Sequence, residues 1–175
     1  IKDNTVLEHF KMSEQRIKSM ALIHQQLYRA KDFSNINFKE YLNELCYYLL
    51  TANDTEHGRI KFDIEAEEIF FGIDTALPCG LIINELFTNA VKHAFPEGRK
   101  GNILLKLYKD DNDICHIEIN DDGVGAVNLD LKKSTSLGME LVNTLTDQLE
   151  GELSITVKNG TQIKLSFREL AKKNN

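Results

Sequence analysis

The sequence predicts an α+β protein, an α/β sandwich in which helices cover one face of a mixed, mostly antiparallel sheet. Three observations carry that prediction. Segments of helical and of alternating periodicity follow one another as helix, helix, two strands, helix, two strands, loop, helix, two strands. Asn159-Gly160 stands between the last two alternating runs as a strong type I′ hairpin signal. The regular strand-helix alternation of a dinucleotide-binding fold is missing, and so is a glycine-rich P-loop ending in Lys and Ser or Thr.

The elements follow in order. Residues 3–31 contain no Pro or Gly, and Phe10, Ser13, Ile17, Met20, His24 and Leu27 recur at alternating spacings of three and four. That is the heptad-like seam of a long N-terminal helix, interrupted by Ser13 and His24. Such a stripe needs cover, so the helix either self-associates or folds back on its own domain. Residues 32–37 read as a linker in which Ser34 or Asn37 caps the next helix. That helix spans 38–50, with Tyr41, Leu42, Leu45, Tyr48 and Leu49 on its apolar side. Residues 59–65 alternate as a strand, 66–68 end it, and 69–73 form a second short strand or extended piece. Asp74 or Thr75 is expected to cap a helix whose first turn tolerates Pro78. Strands at 102–109 and 113–121 flank an acidic turn, and 123–136 is small, polar and weakly periodic, as a mobile loop would be. A helix over 137–149 is stopped by Gly151. Two strands then carry Leu153, Ile155 and Val157, and Ile163, Leu165 and Phe167, before a polar tail.

Composition narrows the function. With 175 residues, one well-cored domain with an appendage is expected. A net charge of −6 gives no basic field for nucleic acid. Cys46, Cys79 and Cys115 lie far apart among apolar neighbours and read as buried thiols, a pattern that fits a reducing cytoplasm. No run approaches the ~20 apolar residues of a membrane span. The chain starts at Ile1 rather than Met, so it is read as a fragment, from which any membrane or sensory segments would have been cut away.

The chemistry concentrates in two places. On the helix through 84–95, Glu85, Asn89, Lys92 and Pro96 share one stripe, and Ile83, Leu86, Phe87, Ala90 and Ala94 occupy the other. A carboxylate, a carboxamide and an ammonium in a row suit a magnesium ion and phosphates. The strand ending at residue 121 then delivers Asp121 to the turn Asp122-Gly123-Val124-Gly125.

These residues carry a resemblance. Leu81 through Pro96, then Asp121-Asp122-Gly123-Val124-Gly125, then Ser136-Leu137-Gly138-Met139-Glu140-Leu141-Val142, then Asn159-Gly160-Thr161, resemble in order the N box, two glycine boxes and closing threonine motif of the Bergerat-type (GHKL) ATP-binding fold. Gyrase, a heat-shock chaperone, histidine kinases and MutL share that fold. The run from Arg16 to Tyr28, with 38–45 after it, resembles the HisKA_2-type dimerisation region of one histidine-kinase subfamily. The resemblance implies that 1–33 is the C-terminal part of a dimerisation hairpin, 34–170 the catalytic ATP-binding domain and 171–175 a tail.

It also implies roles. Asp121 would accept from the adenine amine and reject guanine, Gly123 and Gly125 would bring backbone close to the nucleotide, and Thr161 would reach the adenine edge through water. Asn89 would be the magnesium ligand and Lys92 would neutralise phosphate, with His93 a second contact or a plain surface residue. Glu85 stands where the family's ATP hydrolases place a water-activating base; in a kinase it would orient magnesium-bound water. Backbone N–H groups of Ser136, Leu137 and Gly138 would hold phosphate oxygens, although only Gly138 is a glycine and the lid is short. His24 is read as a packed seam residue, the acceptor histidine belonging to a preceding helix.

The implied function is that of a cytoplasmic sensor histidine kinase, homodimeric when intact, with ATP and Mg2+ as cofactors. It moves the γ-phosphoryl to a histidine of the dimerisation domain, in cis or trans, and on to the aspartate of a response-regulator receiver domain. This chain is then expected to bind Mg-ATP without labelling itself. A nucleotide-dependent binding switch or an anti-sigma-type serine kinase is the alternative from another class, and a degenerate dimerising module is a third.

Overall fold

The computed structural model describes residues 4–30, 36–53, 58–125 and 137–169. Its elements are α1 (Asn4–Ala30), β1 (Ile36–Asn37), α2 (Phe38–Asn53), β2 (Ile60–Ala66), β3 (Phe70–Phe71), α3 (Ile73–His93), β4 (Gly101–Lys109), β5 (Cys115–Asp121), α4 (Leu137–Gln148), β6 (Glu152–Val157) and β7 (Thr161–Phe167). The expected loop over 123–136 and the tail fall largely outside the described residues, as does Ser34.

Five strands form one sheet in the order β2-β4-β5-β7-β6. Only β2 and β4 run parallel, because α3 intervenes between them; β4-β5, β5-β7 and β6-β7 are antiparallel. The sandwich expected from the sequence is therefore present. The small antiparallel pair of β1 and β3 sets Ile36 opposite Phe71 and closes the entrance to α2. Asn37 caps α2, its Oδ1 accepting the Glu40 N–H at 3.2 Å.

The core lies between α2, α3 and α4 and the inward face of the sheet. Phe38, Phe71 and Phe167 stack in sequence with centroids 4.9 and 5.7 Å apart, and Phe62 meets Phe87 edge-on at 6.1 Å. Ile103, Leu105 and Leu107 of β4 alternate inward with Ile117 and Ile119 of β5. Each fully buried Leu, Ile or Phe side chain contributes about 1.5–3 kcal/mol of transfer free energy. Cys46, Cys79 and Cys115 are buried free thiols, as expected. Burial raises all three pKa values, that of Cys115 to about 11.

Three local expectations are corrected. Helix α3 begins at Ile73 with Gly72 as its cap and no side-chain capping bond, so neither Asp74 nor Thr75 caps it, and Pro78 sits in the second turn rather than the first. The helix tolerates Pro78 there because burial of the surrounding turns, from Thr75 to Thr88, outweighs one lost backbone bond. At the end of α4 the left-handed residue is Glu150 (φ 51°), not Gly151. The Glu150 and Gly151 N–H groups bond back to Asp147 and Thr146 oxygens at 3.0 and 2.9 Å, which is a Schellman closure.

The third concerns α1. It does fold back on its own domain, against α2 and α3, but through a mostly polar stripe: Gln15, Ser19 and Ile23 are buried. The apolar seam points away, leaving Phe10 71% and Ile17 67% exposed. His24, expected to be packed in that seam, is exposed. The physical reason is that the facing helices offer polar partners, Asn53 and Asn84, so the polar stripe finds its bonds inward.

Candidate functional site

Sheet register builds one half of the site. β5 and β7 pair so that Asp121 lies directly opposite Thr161, joining two motifs that are 40 residues apart. Asp121 Oδ1 accepts the Gly123 N–H at 2.9 Å and the Thr161 N–H at 3.2 Å. Burial pushes the Asp121 pKa up, and these backbone donors partly oppose the shift by holding the charged form. The carboxylate is thereby fixed in direction at the C-terminal edge of the strand.

The turn beyond it is built close to α3. Gly123 lies against the Ala94 backbone so tightly that a Cβ would collide with the Ala94 carbonyl, and Val124 N–H donates to that same oxygen at 2.9 Å. Gly160, singled out only as a hairpin residue, has φ +122° and backs onto the Asp121 carbonyl, where a Cβ has no room. Gly125 also has positive φ, +78°. Asp122 faces away and clasps β4: its carboxylate accepts Asn102 N–H and Nδ2 at 2.7 and 2.8 Å.

The other half comes from α3. Asn89 is half-buried, and Lys92 and His93 are exposed in the last turn. Asp121 and the glycine turn are tied to this end of the helix through Ala94. Gly138 is buried and Leu137 exposed at the first turn of α4, and Ser136 lies outside the described residues.

Glu85 departs from its expected place on an open face. Its side chain is only 3% exposed and is held by α1: Arg16 Nε and Nη2 donate to Oε1 and Oε2 at 2.8 and 3.1 Å. Asn84 Nδ2 donates to Oε1 at 3.0 Å. The Ser19 hydroxyl stands 3.0 Å from Asn84 Oδ1, and a Cβ on Gly138 would approach Glu85 Oε2 to 2.6 Å. The pair is bidentate and largely desolvated, and the bond to Glu85 raises the Arg16 pKa against the opposing effect of burial. Arg16, Ser19 and Asn84 stand inside the motif runs that the sequence offered, but no role was read for them there. The available signal was the i, i+4 spacing of Gln15, Ser19 and Ile23 beside the seam.

On the opposite face of the sheet, Ser166, His116 and Asp110 make a second polar chain, with contacts of 2.9 and 3.0 Å from the imidazole. Asp110 also accepts the N–H groups of Asn112 and Ile114, so the chain clasps the β4-β5 turn to β7.

Comparison with known proteins bears on what this geometry belongs to. Residues 1–53 match a family model described as histidine kinase, and residues 56–167 match the histidine kinase-like ATPase domain. Blue-light-activated histidine kinase 2 of Erythrobacter litoralis is 30% identical over 105 residues, which is 59% of this chain and 30% of that protein. Sensor histidine kinase PdtaS of Mycobacterium tuberculosis is 27% identical over 146 residues, 82% of this chain and 28% of that protein. The chain thus spans less than a third of the length of these relatives. Among solved structures, the histidine kinase domain of the E. litoralis EL346 blue-light activated histidine kinase shares the fold, with a TM-score of 0.82 and 24% identity over 90% of this chain and 75% of that one. With its second model covering well over half of its length, the chain belongs to the histidine kinase-like ATPase domain family, preceded by a histidine kinase segment.

Proposed function

We propose that this chain binds Mg-ATP and presents the γ-phosphoryl group to a histidine of a dimerisation domain, in cis or in trans, from which the aspartate of a response regulator takes it. One observation carries the reading: a partly buried carboxylate, Asp121, is aimed by two backbone N–H groups beside a glycine turn packed on the end of α3. With Oδ1 saturated in this way, the carboxylate is an acceptor for an exocyclic amine and repels a carbonyl in the same position, so it selects adenine over guanine. Gly123 and Gly125 would let the backbone approach the nucleotide, and Thr161, opposite Asp121 across the strand pair, would reach the adenine edge through water.

The donor set on α3 fits magnesium. The half-buried Asn89 carboxamide is the residue that the family resemblance assigns to magnesium, and Glu85, one turn earlier, is engaged by Arg16. Magnesium is ordinarily held in this fashion, by one or two side chains with phosphates and water completing the octahedron. When bound it would neutralise charge shared between the β- and γ-phosphates. Lys92, exposed in the last turn, adds a mobile positive charge for the same phosphates, with His93 beside it. Backbone N–H groups at the start of α4, from Leu137 and Gly138, would hold phosphate oxygens at the positive end of the helix dipole. The protein's contribution is then positioning and charge.

Residues 34–170 act as the catalytic body, since α2 buries Phe38, Tyr41, Leu42 and Leu45 in the common core, and 1–33 supplies one helix of the dimerisation hairpin. The exposed seam of Val6, Leu7, Phe10, Ile17 and Met20 is the surface for a second copy of the chain. No described helix is long and apolar enough to cross a membrane. Three buried free thiols fit work in the reducing cytoplasm. Calorimetric titration with Mg-ATP and Mg-GTP tests the reading. ATP is expected to bind and GTP to give no heat of binding; equal binding of both, or of neither, refutes it.

A further inference from the structure

The Glu85 carboxylate stands one helical turn before Asn89, and both of its oxygens accept hydrogen bonds. Oε1 takes Arg16 Nε and Asn84 Nδ2, and Oε2 takes Arg16 Nη2 with the Gly138 backbone closing over it. We infer that Arg16 is a specificity-determining positioning residue: with α1 docked, it keeps Glu85 from activating water, so that the γ-phosphoryl is reserved for histidine and is not lost to hydrolysis.

The chemistry of the suppressed step is explicit. In hydrolysis a water oxygen bonds to Pγ while the bond from Pγ to the β,γ-bridging oxygen breaks. ADP keeps that electron pair, and the water proton passes to a carboxylate. A carboxylate can accept that proton only with a lone pair free and facing the water. In the docked arrangement the guanidinium occupies both oxygens in a planar fork and a carboxamide holds one of them again. The pair spans two elements 69 residues apart, so it lasts only while α1 lies on α3. Ser19 and Gln15 hold that docking by polar bonds to Asn84 and Asn53, at 3.0 and 3.1 Å. A helix seated mainly by directional bonds, with Ile23 its one fully buried apolar side chain among the described residues, can leave as a unit, and Glu85 is released when it does.

The inference rests on the proposed Mg-ATP reading, and the experiment separates the two. Arg16→Met keeps the aliphatic stem and removes the fork. Its kcat for phosphate release from Mg-ATP is expected to rise roughly ten- to hundred-fold, with KM for Mg-ATP unchanged, at or below the lower end of what a positioned base supplies. The gain is expected to vanish in the Arg16→Met, Glu85→Gln double variant, and Arg16→Lys, which keeps one charged bond, is expected to fall between. Without nucleotide, amide exchange over residues 15–23 is expected to quicken in Arg16→Met while exchange in β4 and β5 stays as in the wild type, which also shows that the fold survives. Calorimetry on the same preparations supplies the control. Mg-ATP binding with an unchanged or lower kcat in Arg16→Met overturns this inference alone. A gain that persists in the double variant also overturns it. Absence of Mg-ATP binding by the wild-type chain overturns both this and the proposed function.

Discussion

Replacing Asp121 by Asn separates recognition from stability. The Asn carbonyl oxygen can still accept the Gly123 and Thr161 N–H groups that now bond to Oδ1 at 2.9 and 3.2 Å, so the turn keeps its anchor. What changes is the other position, which becomes an N–H2 donor facing the adenine amine, itself a donor. Losing a charge-assisted bond costs about 1.5–3 kcal/mol, or roughly ten- to 150-fold in Kd, and the donor–donor clash adds to it. Stability moves the other way. Burial raises the Asp121 pKa, so between its unfolded and folded values the native state binds more protons than the unfolded chain, and stability falls as pH rises through that window. A neutral Asn removes that penalty above the folded pKa. The expected result at neutral pH is weakened ATP binding by calorimetry together with a melting temperature equal to or above wild type. ATP affinity within twofold of wild type would refute the assignment of Asp121 as adenine reader. A lost affinity accompanied by a melting temperature lower by several degrees would refute the argument that the Gly123 and Thr161 bonds survive the substitution.

Three further outcomes are expected. Wild-type ATP affinity should decline on acidification at a higher pH than an unperturbed carboxylate would dictate, because the raised Asp121 pKa brings protonation of the acceptor forward; calorimetry from neutral pH downward reads this, and a decline shared by Asp121→Asn would assign it elsewhere. Gly160→Ala should cost at least ~2 kcal/mol in urea unfolding, since φ +122° is strained for any side chain and its Cβ meets the Asp121 carbonyl, whereas Gly72→Ala, with open space at its Cβ, should stay within about 0.5 kcal/mol. In sedimentation equilibrium the wild-type chain should self-associate and the Phe10→Ser, Ile17→Ser variant should not, with unchanged unfolding of the monomer because both side chains are exposed there.

The sheet and its hairpins were legible because strand alternation and turn chemistry are local. Leu153-Ile155 against Ile163-Leu165 and the positive φ angles of Asn159 and Gly160 follow from residues within about a dozen positions of one another. The half of the candidate site around Asp121 was legible as an ordered set of motifs, and register then sets Asp121 opposite Thr161. Helix ends were less so: Gly151 signalled the end of α4, but the left-handed residue is Glu150, a distinction set by which carbonyls the last two N–H groups reach. The setting of Glu85 was hidden altogether. Its helical stripe is a statement about α3 alone, and its burial is imposed by Arg16, on another helix.

Helix α1 shows why apolar periodicity misled in one particular way. A stripe of Phe10, Ile17 and Met20 has the strongest claim to be covered, yet the described chain covers Gln15, Ser19 and Ile23 instead. The two faces are suited to different contacts. An apolar seam binds by area removed from water and tolerates sliding; a polar stripe binds only where each donor meets its acceptor, as Gln15 meets Asn53, Ser19 meets Asn84 and Arg16 meets Glu85. Contacts between parts of one chain that separate and rejoin are characteristically of the second, more polar kind. Their net strength is also modest, because most of what each bond gains on docking is returned by water on release. Were the seam turned inward, α1 would be fixed to α3 by hydrophobic burial and Glu85 would be shut in permanently. With the polar stripe inward, the same helix can hold the carboxylate when docked and free it when displaced, while its apolar face stays available to a second copy of the chain.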